Sequence, residues 1–386
     1  MKAVELIATA TFGLESIVAQ ELRNLGYDDL TVDNGKVIFT ANLMAICRTN
    51  IWLRTADRVK LKVGEFKAAT FDELFDQTRA LPWGDWLPAD ARFPVEGKSV
   101  KSTLYSVPDC QAIVKKAVVE SLKERYHRDW FPEDGPLYKI EVALFKDIAT
   151  LTIDTTGPGL HKRGYRTLIG EAPLKETVAA ALVILSHWDH DTPLIDPFCG
   201  SGTIPIEAAL LGLNIAPGLN RAFVSEDWPN IPKEQWQQAR QEARELVQWD
   251  QKLYIIGTDI DPQILKVARR NVEEAGVGQY IHFQAKPVSA LSSKRKYGKI
   301  ICNPPYGERI GERNEVAKLY REMGRVSQKL DTWSFYILTS HPHFERLFGR
   351  PADKRRKLYN GNIQVQLYQY FGPRPHKRQE DNQHGT

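Results

Sequence analysis

Apolar positions in the first 165 residues recur in short, changing periods. Val4–Ala10 reads as a strand, and Leu14, Ile17, Val18 and Leu22 then return with a 3.6-residue period, predicting a helix over Gly13–Leu25 that Gly26 ends. Lys36–Thr40 (strand), Leu43–Thr49 (helix) and Arg58–Val63 (strand) complete a small α+β unit. A second unit starts near Ala69: helix Phe71–Arg79, a strand near Arg92–Val95, helix Asp109–Tyr126, and strands Tyr138–Phe145 and Ile148–Asp154. The breaker cluster Thr156-Gly157-Pro158-Gly159 marks its end.

From Ala172 the pattern changes to long helices alternating with short, wholly apolar strands, as a parallel sheet covered on both faces requires. The strands expected are Pro193–Asp196, Tyr254–Asp259, Ile281–Gln284, Lys299–Cys302, Ser334–Thr339 and Ile363–Tyr370, forming a doubly wound, Rossmann-like α/β domain. A long connection between the first two holds Trp228, Trp236, Trp249 and a charged helix, Lys233–Val247; aromatics at such spacing more often pack than stack on bases, and a lid or cap is the alternative reading. The Pro-rich polar tail, Gly372–Thr386, reads as disordered.

Composition adds the broad class. At 386 residues the chain exceeds one average core, and 42% hydrophobic with 26% charged residues is ordinary globular usage, which excludes fibrous and largely disordered classes. The opening apolar run is too short for a signal sequence or membrane span. Four scattered cysteines in no ligand spacing fit reduced thiols in a cytoplasmic protein without a metal site. The net charge of +4 decides little, because residues 1–165 carry −1 and the remainder +5. Local clusters are better candidates for phosphate contact: His161-Lys162-Arg163 with Arg166, Lys294-Arg295-Lys296, and Lys354-Arg355-Arg356-Lys357. Each reads equally well as a solvated loop or strand end.

Chemistry enters at three strand ends. In Asp196-Pro197-Phe198-Cys199-Gly200-Ser201-Gly202-Thr203 an acid precedes two glycines and a helix opening, so the backbone can turn close to a ligand and free N–H groups can receive an anion. The methionine carboxylate of S-adenosylmethionine is such an anion, and NAD-binding turns share the pattern. Asp259 at the next strand end can accept both hydroxyls of a ribose, while Asp261 reads as the cap of a helix starting at Pro262. Asn303-Pro304-Pro305-Tyr306 is more discriminating. Consecutive prolines fix an extended turn, letting the Asn303 side chain and the Pro304 carbonyl grip one amino group and localise its lone pair toward a methyl carbon, with Tyr306 as a stacking face.

Together, Asp196–Thr203 and Asn303–Arg309 resemble the class I amino-methyltransferases. The wider chain resembles the THUMP-containing RNA guanine-N2 methyltransferases of the bacterial 23S rRNA type, with tRNA guanine-N2 enzymes as relatives. Gly97–Ser102, Val107–Gln111, Leu160–Arg166, Ala172–Thr177 and Leu358–Gly361 carry this resemblance. It implies a ferredoxin-like domain (1–60), a THUMP RNA-binding domain (61–165), a Rossmann-like methyltransferase domain (166–371) and a tail (372–386). It further implies S-adenosylmethionine as cofactor and structured RNA as partner, rRNA before tRNA, with no membrane or metal. Lys175, Glu176 and Thr177 match the segment over the methionine end, Asp196, Gly200, Gly202 and Thr203 the loop beneath it, Asp259 the ribose acid, and Asn303, Pro304, Pro305 and Tyr306 the base-handling motif. Ala290 stands where the family offers an acid to the adenine. An adenine-N6 methyltransferase would use the same motif, and a catalytically weak RNA-binding assembly factor is the alternative from another class. Oligomeric state is not legible.

Overall fold

The computed structural model describes residues 3–166, 174–306 and 313–374. In chain order its elements are β1 (Val4–Ala10), α1 (Glu15–Asn24), β2 (Leu30–Asp33), β3 (Lys36–Ala41), α2 (Met44–Trp52), β4 (Ala56–Lys67) and α3 (Phe71–Arg79). Then come β5 (Val95–Val100), α4 (Val107–Tyr126), β6 (Ile140–Phe145), β7 (Ile148–Asp154), α5 (Glu176–Leu185), β8 (Leu194–Asp196), α6 (Thr203–Gly212) and α7 (Lys233–Glu245). The remainder is β9 (Ile255–Asp259), α8 (Pro262–Glu274), β10 (Ile281–Ala285), β11 (Lys299–Cys302), α9 (Arg313–Lys329), β12 (Ser334–Thr339), α10 (Phe344–Phe348), β13 (Lys354–Asn360) and β14 (Ile363–Tyr370). No helix among the described residues is long and apolar enough to cross a membrane. Residues 172–173, 307–309 and 375–386, which figured in the sequence reading, lie outside the described residues.

The chain divides into two units, one formed by residues 1–164 and 214–247, the other by 165–213 and 248–386. In the first, one sheet runs β2-β3-β1-β4-β7-β6-β5. Its continuity rests on β4, whose twelve residues pair with β1 on one side and β7 on the other. Residue 60, read as a module boundary, therefore falls inside a shared strand. The strand expected near Arg92–Val95 instead runs from Val95, with Arg92 making only an isolated bridge to Leu137. Pro94 lies between them and has no N–H to give a ladder, although its carbonyl accepts from Ile140.

Residues 214–247 of the long connection belong to this first unit, and their aromatics pack as the first of the two readings has it, not as a lid. Apolar faces explain it: Trp228 is 1% exposed and stacks on Tyr138 with centroids 4.4 Å apart, and Trp236 stacks on Phe223 at 5.3 Å. Ser225 Oγ donates to the Thr155 carbonyl at 2.7 Å, and the Trp228 indole N–H to that of Leu137 at 2.9 Å. These aromatics are core. Trp249 lies in the second unit and is 54% exposed. The Tyr138 hydroxyl is buried with no hydrogen-bond partner among the described residues. Tyr138→Phe keeps the stack and removes a desolvated hydroxyl, so denaturant unfolding should find it neutral or more stable by up to about 1 kcal/mol.

The second unit contains a sheet ordered β10-β9-β8-β11-β12-β14-β13. The first five strands are parallel, as the apolar runs predict, while β14 joins β12 antiparallel and β13 folds back on β14. The sequence reading missed β13 because its Lys354–Lys357 start reads as a basic cluster and not as an alternating strand. Gly361, at φ 62°, turns this hairpin between Asn360 and Ile363. Gly372, read as the start of the disordered tail, donates its N–H to Ser334 Oγ at 3.0 Å.

Candidate active site

Strand order brings the three motifs together. β9, β8 and β11 are neighbours in that order and parallel, so Asp259, Asp196 and Asn303, at or just past their last residues, share the carboxyl edge of the sheet. Strands about 4.8 Å apart put the outer two of these ends roughly 10 Å from each other, the scale of a nucleoside with its side arm.

The glycine loop is fastened at both ends. The Cys199 N–H donates to the Thr258 carbonyl at 3.0 Å, and the Gly202 N–H to the Cys199 carbonyl at 2.7 Å. Gly200 and Gly202 have φ of 50° and 86°, and the two differ in surroundings. A Cβ on Gly202 would meet the Phe283 ring at 3.2 Å and Ala268 Cβ at 3.3 Å, whereas a Cβ on Gly200 would enter open space. Gly202 thus serves packing, and Gly200 leaves backbone uncovered at the site. Gly202 caps α6 without a side-chain acceptor, so the first turn at Thr203 offers N–H groups that no cap consumes.

Asp196 is 1% exposed, and its Oδ1 accepts the Phe198 N–H at 3.0 Å. Burial holds its carboxyl well above the ordinary carboxylate range against that hydrogen bond, with the Asp259 charge adding to the rise. Asp259 is half-buried; its two oxygens accept the N–H groups of Gly200 and Asp261, each at 3.0 Å. Asp261 caps α8 by accepting from the Gln263 N–H at 2.8 Å. Ile260 between them is 76% exposed, an apolar side chain beside the acid that sequence reading passed over. Ala290 is the exposed end of a short turn that buries Val288, its N–H donating to the Pro287 carbonyl at 3.1 Å.

Lys175 caps α5 from an extended backbone, and Glu176 and Thr177 are buried in its first turn. Thr177 Oγ is buried with no hydrogen-bond partner among the described residues. Arg166, read as one of a phosphate-binding cluster, is instead internal: Nη2 donates to the Leu174 carbonyl at 3.0 Å and to Thr203 Oγ1, and Nε lies 3.5 Å from Glu176. It ties the 174–176 segment to the start of α6. Arg163 is likewise spent, on the carbonyls of Leu160 and Arg54. Nothing in a basic run distinguishes a guanidinium that will be buried among carbonyls from one left to solvent.

At the end of β11, Asn303 and Tyr306 are half-buried, Pro304 is buried and Pro305 exposed. The Tyr306 hydroxyl donates to Asn303 Oδ1. Tyr320 on α9 donates to the Pro305 carbonyl at 2.7 Å and shares a 2.9 Å hydrogen bond with Thr339 Oγ1. Tyr320 was invisible to sequence reading, because one aromatic on the apolar face of a helix carries no signal of what its hydroxyl holds.

A sheet of this order, with a glycine loop, an acid and Asn-Pro-Pro-Tyr on neighbouring carboxyl ends, is that of a class I methyltransferase. Residues 163–369 match the family model described as RMKL-like, methyltransferase domain, residues 5–60 the RlmL ferredoxin-like domain, and residues 68–154 the THUMP domain. The chain belongs to this RlmL-type methyltransferase family. It is 54% identical over 385 residues, 99% of its length and 100% of the relative's, to the "Putative RNA methyltransferase YpsC" of Bacillus subtilis (strain 168). Two solved structures are also similar. A "predicted N6-adenine-specific DNA methylase" from Listeria monocytogenes shares 57% identity over 97% of both chains with a TM-score of 0.93. SMU.472, "a putative methyltransferase complexed with SAH", shares 48% over 97% of this chain and 100% of that one, also at 0.93.

Proposed function

We propose that this protein transfers the methyl group of S-adenosylmethionine to an exocyclic base amino group in RNA, guanine N2 of 23S rRNA being the target. The observation that carries the reading is the side-by-side placement of the glycine loop, Asp259 and Asn303–Tyr306 along one sheet edge. The THUMP match at residues 68–154 supports an RNA partner, as does the description of the Bacillus relative as an RNA methyltransferase. In unit 1, Tyr105 at 84% and Trp130 at 74% exposure are aromatic faces on which unpaired bases could stack. Four buried free cysteines fit a cytoplasmic enzyme.

The donor set fits the cofactor. Gly200 leaves room at the backbone, Asp196 is a buried acid that a cofactor ammonium would draw into its charged form, and Thr177 Oγ has no hydrogen-bond partner among the described residues. In this assignment Lys175, Glu176 and Thr177 close over the methionine end, held by Arg166. Asp196, Gly200, Gly202 and Thr203 line it from below. Asp259 takes the ribose hydroxyls, and Ile260 gives the adenine an apolar face where Ala290 supplies no acid. The sulfonium makes the methyl carbon electrophilic, so the protein's part is to present the nitrogen. Pro305's carbonyl is occupied by Tyr320, which leaves the Pro304 carbonyl and Asn303 Oδ1 as the pair of acceptors. An arriving amine displaces the Tyr306 hydroxyl from Asn303, and the ring stacks on the base.

Calorimetry tests the cofactor assignment. S-adenosylhomocysteine should bind and NAD should not, and Asp259→Ala should weaken binding by about 1–3 kcal/mol, the cost of lost hydrogen bonds to a charged acceptor. NAD binding without either adenosyl compound would overturn it. For the substrate, nucleosides from the rRNA and tRNA of a strain lacking the gene should show one missing modification, N2-methylguanosine in 23S rRNA; loss from tRNA alone would move the target.

A further inference from the structure

The parallel strands of the second unit also have an amino edge, away from the cofactor loop. There lies a cavity of about 460 Å³ whose walls include Tyr254, Tyr280, His282, Ser293, Arg295 and Trp333. Tyr254 precedes β9, and the four steps from Ile255 to Asp259 separate this edge from the ribose acid by about 13 Å. The methyl-transfer chemistry proposed above uses none of these residues. Among the described residues, no aspartate or glutamate lines the cavity.

Its lining sets one guanidinium, that of Arg295, beside the rings of Tyr254, Tyr280 and Trp333, with Leu253, Ile255 and Ile281 as an aliphatic wall. The Arg295 guanidinium carbon lies over the Tyr254 ring, 3.5 Å from its centroid, and both residues line the cavity. The backbone of Arg295 is fixed on both sides: its N–H donates to Ser293 Oγ at 3.0 Å, and its carbonyl accepts from the buried Trp333 indole at 2.9 Å. Lys294, Arg295 and Lys296 are all exposed, so three consecutive like charges stand in solvent beside an aromatic-walled hollow. Such repulsion is relieved by an anion, and a guanidinium already stacked on one face offers the other to a planar base.

We propose that this cavity is a second RNA site, taking one unpaired nucleotide of the substrate with its base on the Tyr254–Arg295 stack and its phosphate against Lys294 and Lys296. The inference rests on the reading of the protein as an RNA methyltransferase. It extends the RNA footprint to the edge of the sheet opposite the chemistry, so that substrate is selected by contacts far from the target base. The site acts on RNA affinity and not on methyl transfer.

The test uses the full chain, unmodified 23S rRNA transcript and bulk unmodified tRNA. Arg295→Ala should raise KM for the methylated RNA about tenfold while kcat and S-adenosylhomocysteine affinity stay unchanged, and Arg295→Lys should recover only part of the loss because it keeps charge without the stacking plane. Lys294→Ala with Lys296→Ala should lower the slope of log affinity against log salt by about 0.7 for each phosphate contact removed. Photocrosslinks from 4-thiouridine-substituted RNA should map to the peptide carrying residues 293–297. Unchanged KM in Arg295→Ala with no crosslink there overturns the second site, as does binding of the transcript with an unaltered salt slope. No methylation of either RNA by the wild-type protein would instead condemn the RNA reading itself, which separates the two failures.

Discussion

Asn303→Ala should reduce methyl transfer by roughly a hundredfold or more while leaving S-adenosylhomocysteine binding within a factor of two. The amide oxygen is needed most as the amine's lone pair localises, so its loss raises the transition state more than the ground state. Single-turnover rates at saturating RNA and cofactor read the effect directly. Tyr306 separates two contributions. Tyr306→Phe removes only the hydroxyl that sits on Asn303 Oδ1 and keeps the ring, so it should retain most activity. Tyr306→Ala removes a stacking face, with a loss of about 1–3 kcal/mol in RNA-dependent turnover. An inactive Phe variant would give the hydroxyl a part in the chemistry. Full activity of Asn303→Ala would remove the amine-gripping role from the motif.

The second large effect is expected from separating the units. A cut at residue 165 alone is the wrong experiment, because it strips residues 214–247 of the surfaces on which Trp228 and Ser225 pack and leaves them exposed. Residues 165–213 joined by a short linker to 248–386 respect the division, since the Gln248 N–H already donates to the Leu213 carbonyl at 2.8 Å and the ends to be joined are adjacent. This protein should bind S-adenosylhomocysteine as the full chain does and lose RNA methylation by a hundredfold or more, recovered little at saturating cofactor. Undiminished methylation of the natural RNA would mean that the second unit alone suffices for RNA recognition and that the first contributes nothing to it.

The strand pattern was legible where burial is two-sided. All six expected C-terminal strands are present within a residue or two; β8, β9, β11 and β12 are mostly buried along their length and have no polar face to disguise them, whereas β10 and β14 also carry exposed residues such as His282 and Gln364. Caps were equally legible: Asp261 before Pro262 announces the start of α8 by local chemistry alone. What failed depended on distant partners. β13 begins with Lys-Arg-Arg-Lys, and only its pairing with β14 makes it a strand. The excursion 214–247 carries aromatics whose spacing cannot say which unit they pack against. Arg163 and Arg166 look like solvent-facing cations until the carbonyls and hydroxyl they hold are seen. In the candidate site, the motifs read in the sequence fall at neighbouring strand ends, but Tyr306 resting on Asn303 and Tyr320 holding Pro305 are consequences of the folded turn.

The proposed methyl acceptor is an exocyclic amino group on a guanine in RNA. The most direct measurement is nucleoside mass spectrometry of RNA methylated by the purified protein with isotope-labelled S-adenosylmethionine, run in parallel on a transcript carrying inosine for guanosine at the methylated position. The expected result is labelled N2-methylguanosine in the first and no label in the second, since inosine has no N2 amine to be gripped by Asn303 and Pro304. Label in N6-methyladenosine would contradict the guanine assignment while keeping the amine chemistry, and label transferred to inosine would contradict both.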